Sequence, residues 1–156
     1  MNFIYRKKEI RISNKVREIF HTFRQEGVNS LESGGIILGQ VNKEIILINR
    51  VSIPNNKDKA TKNSFNRDKD SAQEIINHEF TRSSGKTIYL GEWHTHPEGN
   101  AKPSSIDKKM IYEQFKGNII NIDFLILIII GNEKDYIGVQ DEKSLHKIIN
   151  CNLKIF

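Results

Sequence analysis

Residues 91–107 read GEWHTHPEGNAKPSSID, a segment in which a strand pattern gives way to a loop and then to the start of a helix. If residues 89–96 form a strand, successive side chains alternate between its faces, so His94 and His96 lie on the same face. Their Cα atoms are then about 7 Å apart, close enough for both imidazoles to bind one metal ion. Pro97 cannot donate a hydrogen bond within a sheet, and it therefore predicts that the strand ends beside the second histidine.

The second half of the segment has the spacing of a helix start. Ser104 is suited to cap a helix, and Asp107 then lies in the first turn, where an acidic side chain is favoured. The same carboxylate can also serve as a third metal ligand, leaving a fourth position for water as in catalytic zinc sites. Structural zinc sites favour cysteine, of which the chain has one. The spacing alone leaves both interpretations of Asp107 open.

Outward from this segment, helical and strand patterns alternate along the chain. Apolar residues recur at helical spacing after the capping residue Ser13, with Gly27 as the expected end, and a second helix follows a predicted hairpin. The mixture predicts a single α+β domain over residues 1–156, with a mixed, mostly antiparallel sheet flanked by helices. The predicted helices span residues 13–27, 67–82, 104–118 and 142–153, and the predicted strands lie within residues 30–40, 44–53, 86–96, 122–131 and 135–140.

The composition is that of a globular protein. The 156 residues are 37% hydrophobic and 28% charged, and the longest apolar run, residues 124–130, is far shorter than the roughly 20 residues of a membrane span. The N-terminal residues have no apolar signal-peptide core. The sequence therefore predicts a cytoplasmic protein with no membrane partner.

The net charge of +5 raises the alternative of a nucleic-acid-binding protein. Basic residues are nevertheless scattered among acidic ones, and no basic stripe alternates with aromatic residues, so no nucleic-acid partner is expected. The single cysteine, Cys151, is interpreted as a small packed side chain rather than as a reactive thiol.

The stretch from His94 to Asp107 resembles a known motif. It reads histidine, threonine, histidine and proline, then after six residues a serine and after two more an aspartate. This pattern resembles the motif of JAMM metalloproteases, the catalytic (MPN+) branch of the JAB/MPN domain family. The family also has a glutamate near the strand that follows the first helix, and Glu32 matches it. Thr95 stands where serine is commoner, which is the one departure.

This resemblance implies a cytidine-deaminase-like three-layer fold and a mechanism. One zinc ion per chain is expected on His94, His96 and Asp107, with water in the fourth position. Glu32 is expected to act as general base and then as general acid. Ser104 is expected to donate a hydrogen bond to the oxyanion.

The resemblance also implies a substrate class. Enzymes with this motif cleave isopeptide or peptide bonds at the C-terminal tails of ubiquitin or ubiquitin-like proteins. The chain resembles the prokaryotic branch, and within it the isopeptidases of CBASS-type antiphage operons, which reverse the conjugation of a protein to its target. Three alternatives remain: a peptidase that processes the tail of a sulfur-carrier protein, a non-catalytic MPN scaffold, and a nucleic-acid-associated JAB-like protein, which rests on the basic charge alone. The sequence leaves the oligomeric state undefined.

Other polar residues are given structural interpretations. Glu92 shares the face of the predicted ligands and has two interpretations, a partner of a metal ligand or, preferred here, an ordinary paired or exposed carboxylate. Glu98 is interpreted as part of the loop surface. The polar loop of residues 54–66 is expected to flank a substrate groove, with its lysines facing an acidic partner. The remaining histidines lie on predicted helices without a spaced partner and are predicted not to be ligands: His21, His78 and His146.

Overall fold

The structure is a computed structural model that describes residues 3–27, 30–118 and 120–148. The described residues form three helices and ten strands. The helices are α1 (Asn14–Phe23), α2 (Lys69–Arg82) and α3 (Ser105–Gly117). The strands are β1 (Phe3–Tyr5), β2 (Lys8–Ile12), β3 (Gly34–Val41), β4 (Ile45–Val51), β5 (Lys59–Ala60), β6 (Phe65–Asn66), β7 (Ile88–Thr95), β8 (Leu125–Ile130), β9 (Tyr136–Gln140) and β10 (Leu145–Lys147).

Eight strands form one mixed sheet in the order β1-β2-β4-β3-β7-β8-β9-β10. The β2–β4 and β7–β8 pairs are parallel, and the other neighbours are antiparallel. The remaining strands, β5 and β6, form a separate small hairpin within the predicted polar loop. The predicted mixed, mostly antiparallel sheet is therefore confirmed.

Helices cover both faces of this sheet. On one face, Phe20 of α1 packs against Trp93 of β7, with ring centroids 5.1 Å apart, within the larger hydrophobic core. On the other face, Ala72 of α2 and Ile111 of α3 pack against separate apolar clusters. All six residues of β8 are buried because the strand is covered on both sides. The arrangement is the predicted α+β fold with three layers.

Close strand packing explains the glycine that opens the quoted segment. Gly91 has a φ of 151°, and a Cβ at this position would lie 1.9 Å from the carbonyl oxygen of Ile126 on β8. The register between β3 and β7 shifts between Ile37 and Leu38, directly opposite this point. Only glycine fits such an approach without moving the neighbouring strand.

The end of one predicted helix and the assignment of another are wrong. The first helix begins after Ser13 as predicted, but it ends at Phe23 rather than at Gly27. The predicted helix of residues 142–153 is contradicted at Leu145–Lys147, which form β10. Asp141 accepts hydrogen bonds from the backbone N–H groups of residues 143 and 144, which makes a turn and returns the chain onto β9. Residues 149–153 of that predicted helix, which include Cys151, lie outside the described residues.

The N-terminal hairpin of β1 and β2 was not predicted. Arg6 and Lys7 form its turn with φ values of 47° and 66°, a conformation that is usually signalled by glycine or asparagine. In the described parts of the chain, no helix is long and apolar enough to cross a membrane.

Candidate metal centre

The end of β7 places two imidazoles side by side. His94 lies on β7, and His96 continues the extended chain because its N–H donates to the carbonyl oxygen of Ile130 at 2.9 Å. The Nε2 atoms of the two histidines are 3.2 Å apart. Both rings are buried. The prediction that these side chains share one face is confirmed.

The start of α3 brings a carboxylate to both rings. Asp107 Oδ1 lies 3.1 Å from His94 Nε2, and its Oδ2 lies 3.1 Å from His96 Nε2. Ser104 caps the helix: its Oγ accepts the Asp107 N–H at 3.1 Å, and its own N–H donates to Asp107 Oδ2 at 2.8 Å. The two interpretations of Asp107 are therefore compatible, since the cap holds the carboxylate where the histidines need it. Ser104 is itself exposed, and in this structure its described role is that of the cap.

Glu32 reaches the same place from the segment before β3. Its side chain is 4% exposed, and Oε1 lies 3.6 Å from His96 Nε2. Two backbone contacts fix the segment: the Glu32 N–H donates to Thr61 in the β5–β6 hairpin at 2.8 Å, and the N–H of Ser33 donates to Thr95 Oγ1 at 2.9 Å. Thr95, on the opposite face of β7 from the histidines, therefore supplies the hydroxyl that positions Glu32. Its replacement of the commoner serine preserves this acceptor.

Burial and close charges shift the pKa values of the cluster. Burial raises the pKa of Glu32 to about 7, with His96 opposing the rise and Asp107 adding to it. Burial disfavours the charged form of His96, but hydrogen bonds with Asp107 and Glu98 outweigh it and raise the pKa of His96 to about 9. Burial also acts to raise the pKa of Asp107, yet hydrogen bonds from the two histidines hold that pKa well below its usual range. The cluster therefore favours bound positive charge.

The donor set fits a divalent metal ion. Glu32, His94 and His96 each offer one atom within 4.8 Å of the others, and Asp107 contacts both imidazoles. The separations of 3.1–3.2 Å among the donor atoms of His94, His96 and Asp107 are close to the roughly 3.3 Å expected between ligand atoms around a tetrahedral zinc ion. Glu32 lies beside them, 3.6 Å from His96. Two imidazoles and two carboxylates also balance the charge of a divalent cation. This geometry brings together four of the five predicted site residues, with Ser104 beside them.

Gln25 is a buried polar residue that the sequence analysis missed. It is 2% exposed and lies after α1, where no spacing rule marks it. Its amide Nε2 donates to the carbonyl oxygens of Ser30 and Lys62, at 3.0 and 2.9 Å. Its Oε1 accepts the hydroxyl of Thr95 at 3.3 Å. One side chain thus joins β7, the β5–β6 hairpin and the segment that carries Glu32.

Glu98 lies on the loop surface as interpreted, but its carboxylate also contacts a histidine of the cluster. Although its side chain is 48% exposed, Oε1 lies 3.0 Å from Nδ1 of His96 and accepts the N–H of Lys102 at 3.1 Å. The carboxylate therefore contacts the metal-site histidine on the ring nitrogen that faces away from the cluster. A histidine followed two residues later by an acid was the available signal.

Glu92 is a paired carboxylate, which is one of the interpretations given for it from the sequence. It is 5% exposed and contacts Arg67 Nε at 2.5 Å and the hydroxyl of Tyr89. These side chains line a cavity of about 720 Å³ that lies beneath α2 and α3 and reaches His94.

The other three histidines stay outside the cluster of close donors found among the described residues. His146 is on β10 rather than on a helix, and its Nε2 lies 2.9 Å from Asp141 Oδ2. His146 therefore belongs to a separate polar group with Asp141 and Ser144.

A three-layer α+β domain with histidines at a strand end and an acid at the next helix start is what the resemblance to the JAB/MPN family predicts. The chain belongs to the family described as prokaryotic homologs of the JAB domain, whose model matches residues 13–143. This confirms the family to which the sequence resemblance pointed.

Three curated relatives carry the name CD-NTase/cGAS isopeptidase. The chain is 31% identical to the protein from Escherichia coli over 88% of this chain and 85% of that one. It is 29% identical to the protein from Vibrio cholerae, over 80% and 77% of the two chains. With the Pseudomonas aeruginosa protein it shares 34% identity over 64% and 63%.

A solved structure has the same fold. The solution structure of protein DSY2949 from Desulfitobacterium hafniense matches with a TM-score of 0.61 at 22% identity, covering 94% of each chain.

Proposed function

We propose that this chain is a zinc-dependent isopeptidase that cleaves the bond after the C-terminal tail of a ubiquitin-like or otherwise conjugated protein. The observation that carries the proposal is the convergence of His94, His96 and Asp107 at 3.1–3.2 Å beside the buried Glu32. The names of the three relatives support the isopeptidase activity. The proposed activity belongs to the single JAB/MPN domain expected over residues 1–156.

His94, His96 and Asp107 would hold the zinc ion, which when bound supplies a Lewis acid and lowers the pKa of water to about 7. Glu32 would remove the proton from the attacking water and return it to the leaving lysine amine as the carbon–nitrogen bond breaks. A pKa of about 7 suits both halves of this task, because the carboxyl group can accept and release a proton near neutral pH.

Ser104 would act on the oxygen of the scissile carbonyl. Its Oγ accepts the N–H of Asp107, so its hydroxyl proton remains able to point outward. A hydrogen bond from this proton would stabilise the negative charge that develops on the oxygen. The same residue would thus anchor Asp107 and donate to the substrate.

The substrate tail must approach as an extended chain, since a helix would keep the scissile amide in its own hydrogen bonds. The cavity of about 720 Å³ beside His94 offers space for a side chain of that tail. The β5–β6 hairpin and the residues just before it flank the approach and expose Lys57, Lys59 and Lys62. We infer that the reaction reverses protein conjugation in a CBASS-type antiphage system in the cytoplasm.

The test is cleavage of a conjugate in which the C-terminus of a CD-NTase is joined to a lysine side chain. The intact protein should release both products, whereas a chelator or the Asp107→Asn substitution should abolish release. A linear fusion after the same tail provides the comparison for the alternative of sulfur-carrier processing. Efficient cleavage of the fusion alone would favour that alternative, and no cleavage by zinc-loaded protein would favour a scaffold.

A further inference from the structure

The carboxylate of Glu98 contacts the metal-site residue His96 from outside the cluster. Its Oε1 lies 3.0 Å from Nδ1 of that ring, while Nε2 of the same ring faces Asp107 and Glu32. The same oxygen accepts the N–H of Lys102 at 3.1 Å. The position of Glu98 is therefore fixed on two sides.

The loop that carries Glu98 is held to the turn between β8 and β9. The carbonyl oxygen of Glu98 accepts the N–H of Asn132 at 3.0 Å, and that of Gly99 accepts two more N–H groups at 2.8 and 2.9 Å. The side chain of Asn132 returns a hydrogen bond to the carbonyl oxygen of Pro97 at 3.0 Å. Because these hydrogen bonds fix the loop, the half-exposed side chain of Glu98 has a defined position beside the imidazole of His96.

Hydrogen-bond chemistry sets the direction of the contact. An ionised carboxylate can only accept, so Nδ1 of His96 must carry the proton that joins it to Glu98. In the neutral ring, Nε2 is then the nitrogen with the free lone pair, and it is the one that faces the cluster. Loss of the acceptor would allow the ring to rotate or to take the other tautomer.

We propose that Glu98 is a positioning residue that fixes the orientation and tautomer of His96 so that Nε2 is presented to the metal. This inference rests on the proposed zinc site and adds a residue to it. Partners of this kind on metal-bound histidines change metal affinity by about 10- to 100-fold when they are removed.

Zinc affinity, measured against a competing chelator, tests the proposal without reference to activity. Glu98→Ala should weaken zinc binding about tenfold or more, while Glu98→Gln, whose amide oxygen can still accept from Nδ1, should remain within about threefold of the parent. Glu133→Ala is the matched control, since this exposed residue lies beside Gly99 in the same pair of loops. Metal-free melting curves of all four proteins should nearly coincide.

Nitrogen-15 NMR of the histidine rings in the zinc-loaded protein adds a direct readout. The parent and Glu98→Gln should show a protonated Nδ1 in His96, and Glu98→Ala should show an altered signal. Equal zinc affinity in the parent and Glu98→Ala would overturn the proposal, as would equal losses in the alanine and glutamine variants. A parent protein that binds no zinc would overturn the proposed function and this inference with it.

Discussion

Two buried glutamates lie near the end of β7, and their surroundings differ. Glu32 and Glu92 are 4% and 5% exposed. Glu92 is held by Arg67 at 2.5 Å and by the hydroxyl of Tyr89, whereas the contact described for Glu32 is His96 at 3.6 Å. Arg67 holds the Glu92 carboxylate in an ion pair, whereas the partner of Glu32 is an imidazole of the candidate metal site, so the oxygens of Glu32 lie beside that site.

Burial raises the pKa of both carboxyl groups. Burial raises the pKa of Glu32 to about 7, where a carboxyl group can exchange protons at neutral pH. At Glu92, Arg67 and Tyr89 oppose the rise in the pKa, whereas at Glu32 His96 opposes the rise and Asp107 adds to it. Burial alone therefore does not distinguish the two carboxyl groups, whereas their partners do.

The largest expected effect is on the rate of Glu32→Gln. The substitution keeps the size of the side chain but removes the base, so cleavage should slow by about a hundredfold or more while zinc content is unchanged. Rate and zinc should be measured in the same preparation. Full activity in Glu32→Gln would transfer the role to another acid and erase the contrast with Glu92.

Glu92→Gln should show the opposite pattern. It leaves the guanidinium of Arg67 beside a neutral partner, so we expect the free energy of unfolding to fall by about 2 kcal/mol. Cleavage by the folded fraction should change less than threefold, because Glu92 is proposed to take no part in proton transfer. Denaturant unfolding and steady-state rates check this, and a loss of rate comparable to that of Glu32→Gln would contradict it.

Local patterns allowed much of the site to be predicted. Strand alternation placed His94 and His96 on one face, and the capping spacing placed Ser104 and Asp107, because both depend on neighbours within a few residues. Glu32 was predicted from the family resemblance, since 61 residues lie between it and His94 and no local rule spans that distance.

The missed features depend on tertiary contacts. The strand β2 pairs in parallel with β4, from which α1 and β3 separate it along the chain. The turn that joins β1 to β2 has a left-handed conformation without glycine, so no signal in the sequence marked that hairpin. Gln25 and Glu98 are recognised only when their partners are known. The predicted C-terminal helix failed at β10 because Asp141 bonds to a turn instead of capping a helix.

Gln25 offers an intermediate test. Gln25→Ala removes the hydrogen bonds that join Thr95 to the loops around Glu32. We expect kcat to fall about tenfold at unchanged zinc content, because small displacements of a catalytic group reduce rate strongly. Gln25→Glu, which keeps an acceptor for Thr95 but loses the donor to the carbonyl oxygens, is the companion variant. An unchanged kcat in Gln25→Ala would show that Glu32 is held without it.

The smallest effect is expected at the β5–β6 hairpin. Reversing the charge of Lys57, Lys59 and Lys62 to glutamate keeps the backbone contacts of Thr61 and Lys62 but removes attraction to an acidic partner. KM for a folded conjugate should rise about three- to tenfold, and KM for a short peptide should change less.

The matched control reverses three lysines at the opposite end of the sheet. Lys43, Lys86 and Lys143 are exposed and lie where β3 ends, before β7 begins and where β9 ends. An equal rise in KM from the control substitutions would indicate a general charge effect and would remove the hairpin from substrate recognition.

The most direct test of the central claim is the metal content of protein purified without added metal. Elemental analysis should find about one zinc per chain in the parent and in Glu92→Gln, and His96→Ala should lose it. Protein that still cleaves an isopeptide conjugate with less than about 0.2 equivalents of zinc per chain would contradict the account.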